Sequence, residues 1–77
     1  MEELKSFTLN GHLYFWAREA DRLLVWDSSD TLIGSATPDM DGFLWILEDA
    51  EGIEMARLSC WKYSTIEALH EVVTLAG

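Results

Sequence analysis

Seventy-seven residues carry 14 acidic and 5 basic side chains, a net charge of −9, yet 49% of positions are hydrophobic and four are Trp. So much apolar material can offset chain entropy, so the charge is expected on a folded body rather than on a disordered tail. Such a surface disfavours DNA, RNA and anionic membranes as direct partners. The single cysteine, Cys60, excludes an internal disulfide or a zinc cluster.

In chain order, residues 4–9 form a candidate first strand. Asn10-Gly11 follows, a dipeptide suited to a two-residue hairpin turn because both positions tolerate positive φ. The aromatic run HLYFWAR predicts a strand over 12–18. Glu19-Ala20-Asp21 turns the chain into a strand over 22–27, and Ser28-Ser29-Asp30 turns it into a shorter one over 31–36. Pro38 to Gly42 reads as the longest loop. Strands follow over 43–48 and 53–59, joined by Asp49-Ala50-Glu51-Gly52. Connections this short give neighbouring antiparallel strands, hence a meander.

The period then changes. Ser64-Thr65-Ile66-Glu67 has the pattern of a capping box. Beyond it Ile66, Leu69, Val73 and Ala76 recur at helical spacing, with Val72 on the flank, predicting an amphipathic helix over 65–76. The expected fold class is α+β: an antiparallel β-meander of five to six short strands packed by one C-terminal helix. The start, MEELKSFTLNG, lacks a basic segment followed by an apolar one, and no apolar run nears the roughly 18 residues of a membrane span. A soluble protein of the reducing cytoplasm is expected.

One helix covers one face, yet several strands are apolar on both. Leu13 and Phe15 oppose Tyr14 and Trp16; Leu23 and Val25 oppose Leu24 and Trp26; Phe43, Trp45 and Leu47 oppose Leu44 and Ile46. A sheet with one solvated face would alternate apolar and polar residues. Either the sheet curls on itself or its second face meets a partner or a second copy. Tyr14, Trp16 and Trp26 are read as the aromatic anchors of such a contact, alternating away from Leu13, Phe15 and Val25. The competing reading places these aromatics in the core.

The acidic residues gather at turns. In a meander Asp27 and Asp30 share one end with Asp49 and Glu51, while Glu19 and Asp21 share the other with Asp39 and Asp41. Such rims suit docking on a surface lined with Lys and Arg. Turn chemistry alone also favours Asp at these positions. Asp39-Met40-Asp41-Gly42 echoes a calcium loop but lacks the remaining oxygen ligands and the closing Glu. His12, His70 and Cys60 match no zinc spacing and assemble no nucleophile, base and orienter. No catalytic, cofactor-binding or metal site is expected, and the chain is read as a non-enzyme.

In size, net charge and layout, a β-meander followed by the helix STIEALHEVVTLAG, the chain resembles small acidic inhibitor proteins of phages and mobile elements, of the anti-CRISPR or anti-restriction type. The resemblance implies a protein that occludes a basic surface on a nucleic-acid-handling complex, without touching nucleic acid itself. A homodimeric structural or regulatory module, associating through the uncovered sheet face, is the alternative.

Overall fold

The computed structural model describes residues 3–77; residues 1 and 2, which open the stretch read for a targeting signal, lie outside them. Six strands form one antiparallel sheet in sequence order: β1 (Lys5–Leu9), β2 (His12–Glu19), β3 (Arg22–Asp27), β4 (Leu32–Pro38), β5 (Leu44–Asp49) and β6 (Glu54–Ser59). A single helix, α1 (Thr65–Ala76), packs mainly over β4 and β5. The fold is α+β. β4 runs two residues past its expected end: Pro38 closes the strand opposite Trp45, at a terminal position where its missing N–H costs little.

Local chemistry accounts for the element ends. Asn10 and Gly11 both have positive φ, +52° and +80°, as a tight hairpin with right-handed strand twist demands. At the helix start the Ser64 hydroxyl accepts from the Glu67 amide, while the Glu67 carboxylate accepts from the Ser64 amide. The hydrogen bond from the Ser64 amide, supported by the Ser64 hydroxyl, holds the Glu67 carboxyl below its ordinary pKa.

Register divides the sheet into two faces. Trp16 pairs with Val25, Leu23 with Ala36, Ala36 with Leu47 and Trp45 with Leu58, and these residues line the face under the helix. The helix contributes Ala68, Leu69, Val72 and Val73. This shifts the expected stripe by part of a turn: Val72 is fully buried at its centre, and Ala76 is exposed. Gly34 lies beneath Val72. A Cβ there would lie 2.9 Å from Val72 Cγ1, so the bare glycine lets the helix axis approach the sheet at Val72. Gly34 also adjoins an irregularity in the β3–β4 ladder at Val25 and Trp26.

Two tryptophans in this core differ in one atom's fate. The Trp45 indole N–H donates to the Tyr63 carbonyl at 2.9 Å and ties β5 to the link before the helix. The buried Trp16 indole N–H has no hydrogen-bond partner among the described residues. Trp16→Phe removes an unsatisfied donor as well as apolar volume, two effects that oppose each other, and is expected to change stability by less than about 1 kcal/mol. Trp45→Phe loses a hydrogen bond as well as volume and should cost about 2–3 kcal/mol. Urea midpoints of the two variants check the contrast; equal losses would contradict it.

Candidate functional site

The meander places the β1–β2, β3–β4 and β5–β6 turns at one end of the sheet. The β2–β3 and β4–β5 turns and the β6–α1 link lie at the other. Asp27 and Asp30 therefore flank the start of β4 on one side, and Asp49 and Glu51 flank it on the other, two strand spacings or about 10 Å away. Glu19 and Asp21 are related to Asp39 and Asp41 in the same way at the opposite end.

Three of these aspartates build the turns they occupy. Asp27 Oδ1 accepts from the amides of Ser29 (2.8 Å) and Thr31 (3.0 Å). Asp49 Oδ1 accepts from Glu51 (2.9 Å) and Ile53 (3.0 Å). Asp39 Oδ1 accepts from Phe43 (2.9 Å) and Leu44 (3.3 Å). In each turn the residue three positions on donates its amide to the carbonyl of the opening Asp: Asp30, Gly52 and Gly42. Each of those residues has positive φ, at +67°, +83° and +76°. The three turns share one design, an aspartate followed at the third position by a left-handed residue. Two of them place glycine there, the residue that adopts the conformation without steric cost. The third places Asp30.

Asp30 lies beside an apolar cleft. Leu4, Phe15, Trp26 and Asp30 line an open cavity of about 260 Å³ on the face away from the helix. Phe15 pairs directly with Trp26 across β2 and β3, so their side chains stand together on that face. Further along the same face lie Leu24, Leu44 and Ile46, with Ser35 buried beneath the Arg22 guanidinium, which donates to Ser35 Oγ over a long 3.5 Å. Among the described residues no second layer of secondary structure covers it, yet Ala17, Leu24 and Ser35 on this face are buried, as a sheet that curls on itself would leave them.

The aromatic anchors read from the sequence do not share a face. Trp16 stands opposite Val25, with only 9% of its surface exposed, and belongs to the core under the helix. The Lys5 ammonium lies 4.8 Å from the centre of its ring. Tyr14 is on the same side as Trp16, half-buried and stacked on Phe7 at 5.5 Å between ring centres. Trp26 alone faces away from the helix, and its neighbour there is Phe15. The physical reason is the two-residue β2–β3 turn. It pairs Glu19 with Arg22, which fixes Trp16 opposite Val25 and Phe15 opposite Trp26.

Two exposed aromatics form a further feature at the opposite end. Phe43 is 65% and Trp61 82% exposed, and with Gly42 and Cys60 they line a shallow cleft of about 500 Å³. The Cys60 amide donates to the Phe43 carbonyl at 2.9 Å, which fixes the two segments side by side. Phe43, expected at the start of the strand over 43–48 on the face of Trp45 and Leu47, instead lies just before β5, which begins at Leu44 after the Asp39 turn, and Trp61 lies beyond the end of β6. Burial first, and then the negative charge of Asp39, push the Cys60 thiol above its usual pKa, away from the reactive thiolate.

On the exposed β6 edge, Glu54 and Arg57 form a two-pronged ion pair at 2.9 and 3.0 Å. The Arg57 guanidinium holds the Glu54 carboxyl below its ordinary pKa. Among the described residues no group of three or more His, Cys, Asp or Glu is placed to hold a metal ion, and no helix is long and apolar enough to cross a membrane. No family model, curated protein or solved structure matches the chain.

Proposed function

We propose that this chain is a non-enzymatic protein-binding protein, a small acidic inhibitor or adaptor that occludes a basic surface of a nucleic-acid-handling protein in the cytoplasm. The reading rests on Asp30. It takes the position that glycine holds in the two sister turns, and so brings a carboxylate, in a conformation glycine adopts more readily, beside the Phe15–Trp26 cleft. Asp tolerates that backbone better than most residues, so the cost is modest. An apolar anchor next to a carboxylate is what a Lys- or Arg-bearing partner requires: buried aromatic area for residence time, charge for steering and register. Asp27, Asp49 and Glu51 extend the charge along that end. Glu19, Asp21, Asp39 and Asp41 carry it to the other.

Two variants test this reading. Asp30→Gly should leave stability unchanged or raise it by up to about 1 kcal/mol, because glycine accepts the left-handed backbone. The same change should weaken binding to a basic partner. Trp26→Ala should fold and bind poorly. Retention of full affinity by both variants would sink the proposal.

A second reading has its own observation. Phe15, Trp26, Leu44 and Ile46, each half-buried, line the part of that face that no second layer covers among the described residues, and a copy of the chain would bury them further. Self-association of that kind gains from apolar burial and is little weakened by salt. Docking on a basic protein is strongly weakened by it.

A further inference from the structure

The cleft between Phe43 and Trp61 lies at the opposite end of the molecule from Trp26 and Asp30. It is assembled from two segments, the β4–β5 loop and the start of the β6–α1 link, held together by the hydrogen bond from the Cys60 amide to the Phe43 carbonyl. Two strongly exposed aromatic side chains line it, Phe43 at 65% and Trp61 at 82%. Its floor, Gly42 and Cys60, is small and nearly uncharged. The cleft spans about 500 Å³, ample for one long side chain.

The surroundings are acidic. Asp39 opens the loop that carries Phe43, and its Oδ1 holds the Phe43 amide at 2.9 Å. Its negative charge is felt at Cys60, which lines the cleft, and more weakly at Arg57 on β6. Asp41, exposed, follows two residues later on the same loop. Lys62, next to Trp61, and Arg57 are the opposing charges; Arg57 is held in its two-pronged pair with Glu54, which leaves Asp39 and Asp41 against Lys62.

We infer that this cleft receives the guanidinium of an arginine side chain on a basic protein segment, between the Phe43 and Trp61 rings and against the carboxylates of Asp39 and Asp41. The inference deepens the basic-partner reading and depends on it. Guanidinium fits better than the alternatives on chemical grounds. It is planar and weakly hydrated, lies on aromatic faces, and keeps its N–H edge free for carboxylates. An ammonium is compact and strongly hydrated, and loses more on leaving water for an aromatic wall. An apolar side chain would fill the cleft without using the acidic loop.

The test compares two synthetic probes of equal charge, deca-arginine and deca-lysine, at low ionic strength. Affinity is measured by calorimetry, and the indole N–H signals are followed by NMR, with that of Trp61 assigned through Trp61→Phe. Deca-arginine should bind about tenfold more tightly than deca-lysine and shift the Trp61 signal. Trp61→Ala and Phe43→Ala, both at exposed positions, should keep the wild-type melting temperature and lose the preference, leaving binding at the lysine level. Equal affinity for the two peptides, or a preference that survives Trp61→Ala, would overturn the arginine site while leaving the acidic rims intact as a binding surface. Failure of both peptides to bind would overturn it together with the basic-partner reading.

Discussion

Gly34→Ala is expected to cost about 3 kcal/mol, a large share of the roughly 4–11 kcal/mol that a chain of this size has in total. A Cβ at this position would collide with the Glu48 carbonyl and lie 2.9 Å from Val72 Cγ1 and 3.3 Å from Asp49 Cα. Two of these neighbours are backbone atoms of β5, which pairs with β4 at that level through Gly34 and Asp49. A flexible side chain could swing aside; a hydrogen-bonded strand cannot. Relief of the Glu48 clash requires parting β4 from β5, and relief of the Val72 contact requires lifting the helix from the sheet where Val72 is fully buried. Both routes lose packing around Leu47 and Leu69, which are fully buried. The measurement is a urea titration of the variant against the parent chain. A loss below about 0.5 kcal/mol, the scale of an ordinary surface change, would show that the helix does not seat on the sheet at Gly34.

The second large effect is on binding. Asp27→Asn, Asp30→Asn, Asp49→Asn and Glu51→Gln together remove four negative charges from a net −9, leaving −5. Amide replacements are chosen because Asp27 and Asp49 each hold two backbone amides through Oδ1. Asn keeps that acceptor, whereas Lys at either position would remove it and unmake the turn. Asn also suits the left-handed backbone at position 30. Folding stability should therefore stay within about 1 kcal/mol of the parent. Exposed charge pairs are worth about 0.2–1 kcal/mol each, so four together should weaken binding of deca-lysine at low ionic strength about 10- to 100-fold. The effect should fade as salt rises. Unchanged affinity at low salt would mean that this end of the sheet is acidic for turn construction and solubility alone.

The sequence was most legible where a local chemical device stands on consecutive residues. Ser64 and Glu67 announce the helix start, and Asn10-Gly11 announces the first hairpin. The alternation within HLYFWAR and RLLVWD separates two faces in each strand, and the structure keeps those divisions. Alternation does not say which face of one strand continues onto the next. That depends on register, and register depends on the turn. Counting back from the Glu19–Arg22 pair across the two-residue Ala20-Asp21 turn places Trp16 opposite Val25 and Trp26 opposite Phe15. Grouping Tyr14 and Trp16 with Trp26 left that count out. The role of Asp30 was hidden for a different reason. Aspartate in a turn is ordinary, and its position is informative only once the three turns are aligned on their opening aspartates and the other two show glycine at the same place. Alternation grouped Phe43 with Trp45 and Leu47, but the Asp39 turn starts β5 one residue later and leaves Phe43 exposed; Trp61 lies in a link where no periodicity separates an exposed aromatic from a buried one.

Affinity capture from host lysate, run in parallel with the parent chain and the four-fold amide variant at low and at high salt, tests the central claim most directly. Light scattering of both purified proteins accompanies it. A basic nucleic-acid-handling protein should be retained by the parent at low salt, shed at high salt and lost by the variant, with the free protein monomeric. Identical captures by parent and variant would contradict that claim, as would no capture together with a salt-resistant dimer.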